Sequence, residues 1–141
     1  NLHLTLVFLG QVSDQDLWQT IEVIKDITSE FKPLTIEGRE VVLFPSAKKP
    51  RNISLKIDPN PELIKLQEKL NTELAYYNIA RQENRRFRPH ITLARLKKPK
   101  SIPNQIRISL PFKENMDEIN IFDSQLTKTG PEYHIIQRVN L

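Results

Sequence analysis

The sequence contains no cysteine and only three glycines among its 141 residues. Without cysteine, a disulfide scaffold, a zinc–cysteine site and a thiol nucleophile are excluded. The scarcity of glycine argues against the Gly-rich loops that hold nucleoside triphosphates and dinucleotides. The sequence also lacks a run of about 18 apolar residues and a signal-peptide pattern, so we expect no membrane contact and a cytoplasmic protein.

The chain length fits one domain with a substantial hydrophobic core. Two long helices are predicted, one capped by Ser13 and one that begins with Asn60 as N-cap and Pro61 as its first residue. Seven or eight short strands are predicted as well. They include the first motif segment, whose run Val7-Phe8-Leu9 is apolar on both faces as in a central strand, and residues 34–36, 40–44 and 106–110. Strands that follow one another with only two helices favour an antiparallel or mixed α+β domain.

A four-residue pattern of His, apolar residue, Thr and apolar residue occurs twice, beginning at His3 and at His90. In a strand, side chains two residues apart point to the same face, so His3 shares a face with Thr5, and His90 with Thr92. The apolar residues of the pattern are expected to point into the core; they are Leu4, Leu6, Ile91 and Leu93. Two such strands side by side would form a site with two titratable groups and two hydroxyl donors.

Each copy of the pattern alone has a structural interpretation, namely a histidine on a half-buried strand bonded to backbone. The functional interpretation is favoured because two of the three histidines head the same pattern. The third, His134, lacks the threonine and is interpreted as structural. No carboxylate lies beside either motif histidine, so the sequence predicts neither a metal site nor a cofactor.

Positive charge is concentrated around the second copy of the pattern. The chain carries a net charge of +4, yet residues 81–100 alone carry +7, and the remaining 13 basic and 16 acidic residues sum to −3. The basic residues of this segment are Arg81, Arg85, Arg86, Arg88, Arg95, Lys97, Lys98 and Lys100. A basic excess that flanks a candidate catalytic strand favours a phosphate-bearing substrate over a merely solvated surface.

These patterns resemble the 2H phosphoesterase superfamily, which is named for two H-x-T/S-x motifs. Within it, the sequence is most similar to the RNA 2′,3′-cyclic phosphodiesterases, also called 2′-5′ RNA ligases. The two motifs with their flanks, residues 1–10 and 87–95, carry most of the resemblance. Further matching positions are Phe44-Pro45, Pro50-Arg51, Ser124-x-Leu126 and Gly130-x-x-Tyr133.

The resemblance covers essentially the whole chain and implies a bilobal α+β fold. In that fold two antiparallel sheets line a central cleft, helices lie outside, and each lobe supplies one motif. Residues 1–141 would form a single 2H phosphoesterase domain. Family members usually have a further strand and helix before the first motif, and we expect that this chain lacks them.

The resemblance also implies metal-independent hydrolysis of RNA 2′,3′-cyclic phosphate ends to 2′-phosphomonoesters. His3 would be the general acid toward the leaving 3′ oxygen, and His90 would be the base that activates water, although the sequence alone leaves the two roles exchangeable. Thr5 and Thr92 would donate hydrogen bonds to the phosphoryl oxygens.

Three further residues are candidates for the site. Arg95 would contact the phosphate, but in a regular strand it points away from His90. It can reach the site only if the strand ends or bulges after Thr92. Tyr133 would contact a base or phosphate, and Arg51 would line the cleft.

Other functions remain compatible with the sequence. They are 2′-5′ RNA ligation, cleavage of 2′-5′ linked oligonucleotides and binding of RNA ends without catalysis; intact copies of both motifs argue against the last. The expected partners are RNA ends or small cyclic-phosphate nucleotides, and the protein is expected to be a monomer.

Overall fold

The structure of the protein is a computed structural model that describes residues 2–97, 108–127 and 130–141. Lys98 and Lys100 of the basic segment lie outside the described residues. In chain order the elements are α1 (Asp14–Thr28), β1 (Leu34–Phe44), β2 (Asn52–Ile57), α2 (Pro61–Tyr76), β3 (His90–Arg95), β4 (Ile108–Met116), β5 (Glu118–Thr127) and β6 (Gly130–Asn140).

The strands form two antiparallel sheets, so the expected α+β fold with two antiparallel sheets is confirmed. One sheet has four strands in the order β3-β2-β1-β4, and the other is the β5–β6 hairpin. Helix α2 packs on β1 of the first sheet, and α1 packs between α2 and β6 of the second. Buried apolar residues of all these elements form one cluster, whose most completely enclosed members are Ile57, Leu63, Leu66 and Leu74.

Both helices begin where the sequence predicts. The Asn60 side-chain oxygen accepts a hydrogen bond from the Leu63 amide at 2.7 Å, and Pro61 is the first residue of α2. The Ser13 hydroxyl accepts from the Asp16 amide at 3.2 Å. Each cap satisfies an amide that has no partner within its helix. None of the helices in the described residues has the length and apolar composition needed to span a bilayer.

The strands differ from prediction around a pair of bulges. Two strands predicted separately, over residues 34–36 and 40–44, form the single strand β1, whose register shifts between Gly38 and Glu40. The strand predicted over residues 106–110 is described from Ile108 and continues through Pro111, while residues 106–107 lie outside the described ranges. Pro111 is tolerated because it lies at the irregular position of an edge strand, where no ladder hydrogen bond needs its missing N–H.

The first motif segment is not the continuous strand predicted from its sequence. Among the described residues of this segment only Leu4 pairs, through an isolated bridge, and Phe8 is 82% exposed instead of buried. The segment is instead held from one side, since Gln67 of α2 donates a hydrogen bond to the Leu6 carbonyl at 3.4 Å. Its other inward residues pack partly buried against the core and are Val7 and Leu9.

Gly38 permits the close approach of β1 and β2 at the bulge. A Cβ atom at this position would lie 2.7 Å from the Lys56 carbonyl oxygen, which belongs to the backbone and cannot rotate away. We therefore expect Gly38→Ala to lower the free energy of unfolding by about 1–3 kcal/mol, measured by urea denaturation. Arg39→Ala, at the exposed neighbouring position, is the control and should change it by less than about 0.5 kcal/mol. Equal stability of the Gly38→Ala variant and the parent would contradict this packing.

Candidate active site

The two motif segments lie side by side. Leu4 and Ile91 form an isolated antiparallel bridge, which places the first segment next to β3, beyond the edge of the four-stranded sheet. Ile91 is buried, and Leu4 packs against the same core. Because side chains alternate along extended segments, the residues on either side of the bridge point to the opposite, outer face.

The outer face of this pair carries both histidines and both threonines. Continuing the antiparallel register one residue beyond the bridge places His3 opposite Thr92 and Thr5 opposite His90. Directly opposite side chains have Cβ atoms about 4.5–5.5 Å apart, and diagonal neighbours lie about 7–8 Å apart. In this extended register the histidines would occupy one diagonal and the threonines the other.

Strand β3 changes register directly after the second motif's threonine. Ser54 of β2 pairs with Thr92, whereas the preceding residue Ile53 pairs with Ala94, so Leu93 is an extra residue. A bulge of this kind reverses the alternation of side chains beyond it. The expectation that Leu93 points into the core is therefore wrong, and the residue is 37% exposed.

The same bulge turns Arg95 to the outer face. A bulge after Thr92 is what Arg95 needs in order to reach the site, as predicted from the sequence. Beyond the extra residue, Arg95 shares the face of Thr92. Its Nη2 donates a hydrogen bond to the Tyr133 hydroxyl at 3.2 Å. The Tyr133 ring in turn packs edge-on against the imidazole of His3, with centroids 4.9 Å apart. Arg95 and Tyr133 therefore form a chain of contacts that ends at the first histidine.

The β5–β6 sheet forms one wall of the site. The Phe122 ring of β5 lies 5.7 Å from the His3 ring and 6.0 Å from the Tyr133 ring, measured between centroids. The resemblance implied that each lobe supplies one motif. In the structure the first motif segment pairs with β3 of the four-stranded sheet, while its imidazole contacts the β5–β6 sheet.

His90 is held by two contacts. Its Nδ1 lies 2.8 Å from the Arg88 carbonyl oxygen. Because a carbonyl oxygen only accepts, Nδ1 carries the hydrogen, and in the neutral ring Nε2 keeps the lone pair. The ring also stacks on Phe44 of β1, with centroids 3.9 Å apart and planes inclined by 18°.

Arg88 connects this stack to the loop between β1 and β2. Its guanidinium carbon lies 4.7 Å from the centroid of the Phe44 ring, within the range of a cation–π contact. Its Nη2 donates to the Pro45 carbonyl at 3.2 Å. The segment before β3 is thus fastened to the first residues of the loop that follows β1.

Strand β2 contributes residues that sequence reasoning missed. The residues of β2 directly opposite His90, Thr92 and Arg95 belong to the outer face and are Lys56, Ser54 and Asn52. Ser54 is fully buried, and its hydroxyl has no hydrogen-bond partner among the described residues. The alternation of polar and apolar residues over 52–57 signalled one polar face, but the neighbour of that face is visible only in the sheet register.

Two other predicted residues have clear positions. Arg51 is exposed just before β2, and its carbonyl accepts from the Leu96 amide at 2.9 Å, so its backbone lies beside the end of β3. No described contact joins its guanidinium to either motif histidine. His134 is exposed on β6 opposite Asp123, away from the two motifs in sequence and in pairing. Among the described residues there is no group of three or more His, Asp or Glu side chains that could hold a metal ion.

The fold and the paired His-x-Thr segments define the class of two-histidine phosphoesterases. A family model described as the 2′-5′ RNA ligase superfamily matches residues 1–125. A relative from Thermotoga maritima, named RNA 2′,3′-cyclic phosphodiesterase, is 31% identical over 140 residues, which cover 96% of this chain and 73% of the relative. The chain belongs to the 2′-5′ RNA ligase superfamily.

Solved structures agree with this assignment. A protein of Thermus thermophilus superimposes with a TM-score of 0.84 at 25% identity, covering 99% of this chain and 78% of the other. E. coli LigT complexed with phosphate superimposes with a TM-score of 0.73 at 26% identity, covering 100% of this chain and 75% of the other.

The contact between His90 and the Arg88 carbonyl predicts one tautomer. Neutral His90 should carry its hydrogen on Nδ1, because only that nitrogen faces the carbonyl oxygen. Long-range ¹H–¹⁵N NMR spectra at alkaline pH distinguish the two ring nitrogens. The exposed His134 provides an internal reference in the same spectra. A neutral His90 that is protonated on Nε2 would contradict the predicted hydrogen bond.

Proposed function

We propose that the protein hydrolyses the 2′,3′-cyclic phosphate ends of RNA to 2′-phosphomonoesters, without a metal ion, by general acid–base catalysis from His3 and His90. The observation that supports this proposal is the bridge between Leu4 and Ile91, which sets the two motif segments side by side. The relative from Thermotoga maritima bears the name of this activity, which supports the choice of substrate.

In this mechanism each histidine performs one proton transfer. His90 accepts a proton from water through Nε2, as the water oxygen attacks phosphorus. The bond between phosphorus and the 3′ oxygen breaks, and protonated His3 donates its proton to that leaving oxygen. General acid and base transfers each contribute about 10²–10⁴ in rate. The Arg88 carbonyl supports His90 as the base because it fixes the hydrogen on Nδ1 and leaves Nε2 able to accept.

Charge on the phosphoryl oxygens needs donors on the same face. Thr5 and Thr92, on the second diagonal of the site, would donate hydroxyl hydrogen bonds to these oxygens. Arg95 would add a charged donor, since the bulge after Thr92 turns it to this face. Tyr133 would orient the Arg95 guanidinium through its hydroxyl.

Ligation is the second candidate, because the matching family model is described by that activity. In ligation the 5′ hydroxyl of another RNA replaces water as the nucleophile. The same bond to the 3′ oxygen breaks, and a 2′-5′ linkage forms. The same two histidines would serve, so the availability of a 5′ hydroxyl end decides between the products.

Removal of either histidine should abolish turnover of a cyclic-phosphate RNA end. His3→Ala and His90→Ala are each expected to reduce kcat/KM by about 10²–10⁴, measured by end-group analysis of the products. His134→Ala is the matched control and should retain the parental rate. Circular dichroism should show all three variants folded, and EDTA should leave the parental rate unchanged. Near-parental rates in both motif variants, or loss of activity with EDTA, would overturn the mechanism.

The pH dependence should be bell-shaped. Activity requires one imidazole protonated and the other neutral, so kcat/KM falls on both sides of an optimum. Initial rates over pH 5 to 9 at constant ionic strength measure this profile. A rate that increases steadily across this range, without an alkaline limb, would show that no protonated histidine takes part.

A further inference from the structure

The two sides of the site differ in charge. On the side of His3, the wall consists of the uncharged rings of Phe122 and Tyr133. Their strand neighbours Asp123 and Glu132 are exposed and alternate to the opposite face of the hairpin. The described cation of that hairpin, Arg138, is paired with Glu118 at 3.3 Å. The cation described at this wall is Arg95, which is bonded to the Tyr133 hydroxyl and is assigned above to the reacting phosphate, so the wall offers upstream phosphates little further positive charge.

The side of His90 is basic. The loop after β1 follows Phe44, whose ring stacks on His90, and it carries Lys48, Lys49 and Arg51, all exposed. Arg88 reaches the same loop through its hydrogen bond to Pro45. We call the group Lys48, Lys49, Arg51 and Arg88 the basic rim.

The positive charge of the basic rim is not neutralised by its surroundings. The loop over residues 45–51 contains no acidic residue, and no described ion pair involves a member of the rim. The carboxylate nearest to Arg88 in the chain is Glu83, which accepts hydrogen bonds from Arg85. Hydrogen bonding to Arg85 lowers the pKa of Glu83 to about 2, and the carboxylate is paired with Arg85 and not with Arg88.

The chemistry of the substrate sets the direction of the RNA. A 2′,3′-cyclic phosphate terminates the strand, so the rest of the RNA extends only from the 5′ side of the terminal nucleotide. With that phosphate between His3 and His90, an exit along the hairpin wall passes the uncharged rings of Phe122 and Tyr133, whereas an exit past His90 passes the cations of the basic rim. Lysine and arginine bind backbone phosphates without reading sequence.

We propose that the basic rim is a binding track for the phosphodiesters upstream of the reacting end. It makes the protein selective for oligonucleotides over cyclic mononucleotides. The inference rests on the proposed function, and it adds a substrate length preference and a direction of strand exit. The strand leaves the site over Phe44 and the loop of residues 45–51.

Substrate length and salt dependence test the track. A nucleoside 2′,3′-cyclic phosphate and a tetranucleotide ending in the same cyclic nucleotide are compared by kcat/KM. The parent should prefer the tetranucleotide by about tenfold or more at low salt. Lys48→Ala/Lys49→Ala should remove most of this preference and change the mononucleotide value by less than twofold. Losing two phosphate contacts should make the slope of log(kcat/KM) against log[salt] less negative by about 1.4 for the tetranucleotide.

The control removes the same charge elsewhere. Lys25→Ala/Lys65→Ala neutralises two lysines on α1 and α2, and it should keep the parental preference. An equal loss in both double variants would show that net charge alone matters and would overturn the track. Equal kcat/KM of the parent for the two substrates would overturn it as well.

A binding measurement separates this inference from the proposed function. Fluorescence anisotropy compares the affinity of the parent for a tetranucleotide with a 2′-phosphate end and for a 2′-mononucleotide. Tighter binding of the tetranucleotide, weakened by Lys48→Ala/Lys49→Ala, supports the track even if neither cyclic substrate is hydrolysed. Failure of hydrolysis alone overturns the proposed function, and equal binding of the two probes overturns the track.

Discussion

The site depends on one backbone pairing, the antiparallel bridge between Leu4 and Ile91. Without it the two motifs are 87 positions apart in sequence and have no reason to share a face. A single bridge is a weak restraint, since a typical hydrogen bond contributes only about 0.5–1.5 kcal/mol. Burial of Ile91 and the packing of Leu4 on the same core add to it, because burying such a side chain is worth about 1.5–3 kcal/mol. The inner face of the pair thus holds the outer, polar face in place.

The second determinant is one extra residue in β3. The bulge at Leu93 sacrifices the burial of a leucine, which is a local cost in stability. In return Arg95 reaches the outer face and the Tyr133 hydroxyl, and through Tyr133 it is linked to His3. Bulges commonly re-aim a side chain next to an active site. Without the bulge at Leu93, Arg95 would point to the inner face, away from His90.

Local signals in the sequence predicted local structure well. Capping rules predicted the start of α2 at Asn60-Pro61, and the order of helices and strands predicted the α+β class. Alternation along a strand predicted the common face of His90 and Thr92. The exposure of Leu93 could not be predicted, because strict alternation assumes an unbroken strand. The stacking of Phe44 on His90 and the position of Ser54 opposite Thr92 depend on which strands pair and in what register. A register shift of one residue exchanges the two faces of a strand, and a single sequence does not specify it.

The structure distinguishes two histidines that their motifs present as equivalent. Both head the same four-residue pattern, so the sequence alone leaves acid and base exchangeable. In the fold, His90 lies against an aromatic ring and a backbone carbonyl, which together fix its plane and the position of its hydrogen. His3 instead meets the edges of the aromatic wall, whose Tyr133 also binds Arg95. An approximately symmetric pair of motifs is thus placed between asymmetric surroundings. In the proposed mechanism this asymmetry supports His90 as the base, because the Arg88 carbonyl holds the hydrogen on Nδ1 and leaves Nε2 to accept a proton.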